Sequence, residues 1–353
     1  MSPHLKQTAS LQQTLTELVG QISDLESGEL IQQILMTLVR MSKGDLDYSD
    51  WKILKSTVQD MERGFQTFSS YHHVRKIAIF GSARIESSHL EYQMAIEFAR
   101  RVVEQGFMVI TGAGGGIMQA GNEGAGAAHS FGLNIQLPFE QGANSFIEGD
   151  PKLVDFKYFF TRKLFFVRES DALALFPGGF GTQDEAFECL TLRQTGKSVP
   201  VPLVLIDQPG GDYWQAWHQY IERHLGKNGL ISPGDSSLYT ITDSVDVACE
   251  TIAHFYRVYH SSRYVGKQLV MRLKTELSDS AIEELNQDFA DILVAGQIEK
   301  TLPLPQEALD STISLPRIKL YFNQRDLGRL HQLILTINDL GADSPVTAHP
   351  ELK

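Results

Sequence analysis

Apolar positions recur at helical spacing from the start of the chain to about residue 72, and then the period changes. Leu11, Leu15, Leu18, Val19, Ile22 and Leu25 form one stripe, and Leu30, Ile31, Ile34, Leu35, Leu38 and Val39 form a second. Trp51, Leu54, Val58, Met61, Phe65 and Phe68 form a third. Gly28 and the stretch KGDLDYSD (Lys43 to Asp50) supply breaks. The spacing predicts three amphipathic helices, the third capped by Ser49 or Asp50. Their apolar stripes need a partner, either the domain that follows or another subunit.

From Lys76 the pattern becomes short β-branched runs that end in turn residues. KIAIFG (Lys76 to Gly81), FMVITG (Phe107 to Gly112), GLNIQLP (Gly132 to Pro138), DALALFPGG (Asp171 to Gly179) and PLVLID (Pro202 to Asp207) each read as a buried strand. Helical stretches lie between most of them, including Leu90 to Glu104, and the region closes with a helix over Val245 to Tyr259. Strands alternating with helices predict a doubly wound parallel sheet with both faces covered. A ligand of such a sheet sits at the carboxyl ends of its strands, where Gly and Ser gather in this sequence.

The tail reads differently. KQLVMRL (Lys267 to Leu273) and RIKLYF (Arg317 to Phe322) read as strands, with helices from Ser278 to about Asp291 and from Arg325 to Asn338. This βαβα order predicts a small α+β module. The expected organisation is a helical extension over residues 1–72, an α/β domain over 73–262 and an α+β extension over 263–353.

Charge and composition narrow the classes of function. The chain has 353 residues, with 31 Lys and Arg against 43 Asp and Glu, a formal net charge of −12. That excess of negative charge opposes non-specific attraction to nucleic acid or anionic lipid. The two cysteines, Cys189 and Cys249, are too far apart for a CxxC motif, and no HExxH-type ligand spacing occurs. No apolar run has the length of a membrane span, and the start, MSPHLKQTASLQQ, lacks the layout of a signal peptide. The expected setting is cytoplasmic and the expected cofactor requirement is none, metal included.

Three segments carry candidate chemistry. In TGAGGGIMQAGNEGA (Thr111 to Ala125), Gly114, Gly115 and Gly116 follow a strand and precede a helix. Glycines let backbone N–H groups approach an anion, although the same residues also suit a plain tight turn. Ile117 stands where a dinucleotide fingerprint has its third glycine, and the loop follows the second strand. In PGGFGTQDE (Pro177 to Glu185), a buried strand leads through Gly178, Gly179 and Gly181 to a helix beginning near Thr182. Thr182 caps that helix in this reading, the free N–H groups seat a phosphate, and Glu185 reaches the ligand or closes a capping box onto Thr182. In YFFTRKLFFVRES (Tyr158 to Ser170), Arg162 and Lys163 are adjacent cations in an apolar segment, paired, aimed at an anion or lying on a solvent-facing turn. Asp184 and Glu188 read as solvated helix-face carboxylates.

Taken together and in this order, these segments resemble the LOG family, named for the LONELY GUY proteins and often labelled lysine decarboxylases. The family pattern PGGxGTxxE is met by Pro177, Gly178, Gly179, Gly181, Thr182 and Glu185, and its upstream Arg-Lys pair by Arg162 and Lys163. FGSAR (Phe80 to Arg84) and GAGGGIMQA also look like the family, and the resemblance covers roughly residues 74–260. Gln119 departs from relatives that carry an acid there, and about 70 residues before the core and about 90 after it are extra.

The resemblance implies a usually dimeric Rossmann-like enzyme that cleaves the N-glycosidic bond of nucleoside 5′-monophosphates, releasing a free base and ribose 5-phosphate. Substrates in the family are cytokinin riboside 5′-monophosphates and often AMP. It implies Arg162 and Glu185 as catalytic residues. The phosphate would be held by Gly179, Gly181 and Thr182 with Gly178 and Lys163, and Ser82, Gly114, Gly115 and Gly116 would line the same pocket. The partners implied are a nucleoside 5′-monophosphate and a second copy of the chain, with neither nucleic acid nor membrane. C–N cleavage at a ribosyl centre passes through an oxocarbenium-like transition state, which a carboxylate at Glu185 stabilises or supplies with an oriented water. Arg162 hardly deprotonates, so its work is electrostatic. Glu123 is a weaker candidate for protonating the base, and Phe139, Phe159 and Phe180 are candidate pocket walls. The rival reading is a nucleotide sensor or carrier that keeps the fold without turnover.

Overall fold

The computed structural model describes residues 20, 25, 27–137, 142–308 and 310–341. The first stripe of apolar residues, except Leu25, lies outside the described residues, as does Phe139. The chain forms two compact units, Met1–Gln59 and Asp60–Lys353.

The first unit holds helix α1 (Gly28–Met41) and the start of α2 (Tyr48–Phe68). The expected cap of α2 is corrected. The helix opens at Tyr48, so Ser49 and Asp50 lie inside it. Asp47 takes the capping place instead. Its Oδ1 accepts the Asp50 N–H at 2.9 Å, while Asp50 Oδ2 accepts the Asp47 N–H at 3.1 Å.

The second unit is built on a parallel sheet. Its strands are β1 (Lys76–Phe80), β2 (Met108–Thr111), β3 (Ser130–Ile135), β4 (Leu153–Phe156), β5 (Ala172–Leu175), β6 (Leu203–Ile206) and β7 (Thr240–Thr242). They lie in the order β4-β3-β2-β1-β5-β6-β7. The sequence runs located the five inner strands. The two edge strands β4 and β7 are additions, short segments whose polar residues give no continuous apolar run. The helices between the strands are α3 (Leu90–Glu104), α4 (Ile117–Ala125), α5 (Phe159–Glu169), α6 (Phe180–Gln194), α7 (Tyr213–Tyr220) and α8 (Val245–Phe255).

Both faces of the sheet are buried, as in any sheet wound by crossover helices. Ile77, Ile79, Val109, Ala174 and Val204 meet Phe98 and Ile252 on one face. Ala78, Phe80, Ile110, Leu173 and Leu175 meet Phe165, Phe166 and Trp214 on the other. Successive residues of one strand thus enter opposite cores, which is why these strands read as unbroken apolar runs. The strand order reverses at β1, which pairs with β2 on one side and with β5 on the other. This is the switch point where such folds open a crevice at the carboxyl ends of the strands.

The tail departs from the expected βαβα order. Helix α8 stops at Phe255 rather than Tyr259. The chain then forms β8 (Tyr259–Val265), β9 (Gln268–Leu273), α9 (Asp279–Asp288), β10 (Leu293–Thr301), β11 (Arg317–Phe322) and α10 (Leu327–Leu340). The strands make an antiparallel sheet in the order β10-β11-β9-β8. Ser278 caps α9, accepting the Ala281 N–H at 3.1 Å. The apolar residues Leu269, Met271, Ile318, Leu330 and Ile334 share one core with the first face of the parallel sheet. Asn338 fastens the junction. Its Oδ1 accepts the N–H groups of Val258 and Tyr259 at 2.8 and 2.9 Å, and its Nδ2 donates to the Phe255 carbonyl at 2.8 Å.

Candidate functional site

Three loops leave the carboxyl ends of β1, β2 and β5 and meet at the switch point. The β1 loop is tied to both neighbours through Ser82. Its N–H donates to the Pro177 carbonyl at 3.0 Å, and its carbonyl accepts the Ile117 N–H at 3.0 Å. Gly116 makes this approach possible. Its φ is +61°, and a Cβ there would stand 2.2 Å from the Ser82 carbonyl oxygen. The β2 loop rests on a buried polar network. Thr111 Oγ1 donates to Asn122 Oδ1 at 2.7 Å and accepts the Ala113 N–H at 3.0 Å. Asn144 Nδ2 reaches the carbonyls of Ala113 and Gly114 and the side chain of Asn122 at 3.0–3.1 Å. Buried polar groups satisfied this completely fix one loop conformation.

In the β5 loop the backbone of Gly178 passes so close to Thr182 that a Cβ would meet its Oγ1 at 2.1 Å and the carbonyl carbon of Gly81 at 3.0 Å. The Tyr213 hydroxyl donates to the Gly178 carbonyl at 2.5 Å and accepts from Gln183 Nε2 at 2.7 Å. The expected helix start is corrected. Helix α6 opens at Phe180 with Gly179 as its cap residue and no side-chain cap. Thr182 is therefore inside the first turn, and the capping box with Glu185 does not form. The first turn closes on the Gln183 N–H, which donates to the Gly179 carbonyl at 3.1 Å. The N–H groups before it have no intrahelical acceptor. A Cβ at Gly179 or Gly181 would meet nothing within 4 Å, so the backbone there faces open space.

The loops enclose a cleft of about 780 Å³. Ser82, Gly114, Gly178, Gly179, Gly181, Thr182, Arg162 and Glu185 line it, together with Gly112 and Met118. Of the residues expected there, Gly115, Gly116 and Lys163 do not. Gly115 and Gly116 back onto the β1 loop. Lys163 Nζ pairs with Asp184 at 2.6 Å and Glu188 at 2.5 Å, joining α5 to α6. Asp184 and Glu188 are therefore ion-paired rather than simply solvated. Burial works to lower the Lys163 pKa, and the carboxylates of Asp184, Glu185 and Glu188 outweigh it to leave the value raised. Phe159 and Phe180 line the cleft. Glu123 does not, and its Oε2 accepts the Tyr92 hydroxyl at 2.8 Å.

Glu185 is the distinctive group. It is 6% exposed, and its Oε2 has no hydrogen-bond partner. Burial pushes its carboxyl up to about 7 against the opposing pull of Lys163 and Arg162. Arg162, half-buried in the first turn of α5, lies over the rings of Phe159 and Phe166 at 5.1 and 5.7 Å. A carboxylate with one unpartnered oxygen and a raised pKa, a guanidinium and the first N–H groups of α6 thus share one cleft. That combination suits an anionic substrate and proton transfer. Among the described residues no group of His, Cys, Asp and Glu could hold a metal ion, and no helix is long and apolar enough to cross a membrane.

The fold is a Rossmann-like α/β fold, with a glycine-lined cleft at its switch point. Residues 113–252, which include the PGGFGTQDE motif, match the family model described as "Possible lysine decarboxylase". No curated protein matches the chain. Among solved structures, the chain is similar to the molybdenum cofactor binding protein of the phototrophic bacterium Rippkaea orientalis, at 16% identity over 51% of this chain and 95% of that one, with a TM-score of 0.37. It is similar to the molybdenum cofactor carrier protein of Chlamydomonas reinhardtii at 18% identity over 51% and 96%, with a TM-score of 0.36. It is also similar to DNA processing protein A of Helicobacter pylori at 16% identity over 50% and 79%, with a TM-score of 0.35.

Proposed function

We propose that the protein is a phosphoribohydrolase, cleaving the N-glycosidic bond of purine nucleoside 5′-monophosphates to the free base and ribose 5-phosphate. The observation that carries this reading is the Glu185 carboxyl, buried in the cleft with one oxygen unpartnered and its pKa raised to about 7. The 5′-phosphate sits on the free N–H groups at the start of α6, beside Thr182 and the open backbone of Gly179 and Gly181. That places the ribose toward Glu185, less than two helical turns along α6. In its ionised form Glu185 faces the oxocarbenium-like C1′ and takes a proton from the attacking water. Water adds its oxygen to C1′ as the C–N bond breaks, and the bonding pair leaves with the base, which gains a proton. Arg162 supplies fixed positive charge for the phosphate or the departing base, held against two aromatic rings.

The test is incubation of the purified chain with AMP and, separately, isopentenyladenosine 5′-monophosphate, with chromatography of the products. Release of base and ribose 5-phosphate that disappears in Glu185→Gln is the expected result. Tight binding of both nucleotides without release would overturn the hydrolase in favour of a nucleotide sensor or carrier.

A further inference from the structure

Tyr213, the first residue of α7, reaches the β5 loop from behind the cleft. Its hydroxyl donates to the Gly178 carbonyl at 2.5 Å and accepts from Gln183 Nε2 at 2.7 Å. Chemistry fixes both directions. A carbonyl only accepts, so the single hydroxyl hydrogen goes to Gly178, and Gln183 must present its amide hydrogen. The tyrosine ring is half-buried and held in place. It packs edge-on against the fully buried Trp214 at 4.8 Å, and Asp207, just after β6, accepts the Trp214 N–H at 3.1 Å. Gly178 and Gly179 line the cleft, and Tyr213 does not.

In a trans peptide the carbonyl and the following N–H point in opposite directions. With the Gly178 carbonyl held by Tyr213, the Gly179 N–H is turned away from α7, and it donates to no described residue. The backbone alone does not enforce this arrangement. Reversing the peptide changes ψ of Gly178 and takes φ of Gly179 from −84° into the positive region, which glycine enters freely. The reversed peptide aims a carbonyl oxygen, the negative end of the dipole, where the N–H had pointed. We propose that Tyr213 is a positioning residue for the substrate phosphate. Its hydroxyl locks the peptide between Gly178 and Gly179 with the N–H toward the anion and the oxygen away from it. This inference rests on the phosphate seat of the proposed hydrolase and concerns phosphate binding, not C–N cleavage.

Titration calorimetry of the full chain with ribose 5-phosphate, which has no glycosidic bond to cleave, tests it. Tyr213→Phe removes the hydroxyl and keeps the ring, and should weaken ribose 5-phosphate by about tenfold, the upper range for one hydrogen bond. In a Gly179→Ala background the same substitution should cost under about twofold, because alanine resists the positive φ that the reversed peptide needs. A Cβ at Gly179 meets nothing within 4 Å, so the protein itself accommodates the alanine. Each background serves as the reference for its own Tyr213→Phe variant, so an effect of the alanine alone cancels. Equal affinity of the wild type and Tyr213→Phe overturns the proposal. So does an equal loss in both backgrounds, which marks general damage to the loop. A wild-type chain that binds neither ribose 5-phosphate nor AMP overturns the phosphate seat and this role together. AMP that is bound but not cleaved, with the tenfold loss in Tyr213→Phe, overturns the hydrolase alone and supports the role of Tyr213.

Discussion

Asp60 Oδ2 accepts the Thr161 hydroxyl at 2.7 Å across a sequence separation of 101 residues. The same carboxylate accepts the N–H groups of Lys157 and Tyr158 at 3.1 and 3.2 Å and pairs with Arg63 at 2.5 Å, while remaining fully buried. It therefore caps α5 from another helix, in the place where no local side chain does so. One residue beyond Thr161 is Arg162. The position of the cleft's guanidinium thus depends on a carboxylate that precedes the parallel sheet in sequence.

Asp60→Ala removes the carboxylate that accepts the Lys157 and Tyr158 N–H groups and leaves the Thr161 hydroxyl with the Tyr158 carbonyl, at 2.8 Å. Hydrogen bonds to a charged group are the strong kind, so a loss of about 2–4 kcal/mol is expected. Urea unfolding followed by circular dichroism measures it. A midpoint shift equivalent to under about 0.5 kcal/mol, the range of an ordinary surface substitution, would show that the cap contributes nothing.

Glu185 couples activity and stability in opposite directions. Its carboxyl rises from 4.5 to about 7 on folding, so between those values the native state binds more protons than the unfolded chain. Stability from this group is then fully present below about pH 4.5 and is lost as pH rises through about 7, by up to roughly 3 kcal/mol. The proposed hydrolysis uses the ionised form, so its rate should rise over the same range toward a plateau above pH 7. Glu185→Gln should show neither trend. It should be inactive at every pH, and its unfolding midpoint should lack the wild-type fall between pH 5 and pH 8. A pH–rate profile of the wild type that is flat across neutrality would sink the general-base role.

The inner strands were legible because each is buried on both faces and so reads as an unbroken apolar run. The edge strands were not. Asp155 interrupts β4, and β7 is three residues long. In the tail, β8 (YHSSRYV) and β10 (LVAGQIEKT) are largely polar or exposed and carry no period strong enough to find. At the site, Gly178, Gly179, Gly181, Arg162 and Glu185 could be named from local motifs. Asp60, Asn122, Asn144 and Tyr213 could not, since each acts through a partner distant in sequence. Thr182 and Glu185 have the spacing of a capping box, and that coincidence placed the helix start two residues late.

Gly116→Ala should damage the site through the backbone alone. Alanine at φ +61° is strained, and its Cβ would press on the Ser82 carbonyl. Strain of this kind costs on the order of 1–3 kcal/mol before the contact is added. The expected result is a less stable protein with weakened AMP binding, since the β1 and β2 loops can no longer close on each other. Thermal unfolding and calorimetry report the two effects separately. Wild-type values in both would mean that the loops accommodate a side chain there.

Arg162 and Lys163 are neighbours in sequence with different surroundings, and substitution separates their roles. Arg162→Ala removes a cation that lines the cleft and should lower turnover of AMP by about a hundredfold or more. Lys163→Met removes a cation that is outside the cleft and bound to Asp184 and Glu188. Because Lys163 pulls the Glu185 pKa down, its loss should push that pKa above 7 and move the rising limb of the pH–rate profile to higher pH. KM measured on the plateau should stay within about twofold of the wild type, as expected for a residue that makes no substrate contact. A large rise in KM with no displacement of the pH profile would instead assign Lys163 to the substrate phosphate, the role implied by the family motif.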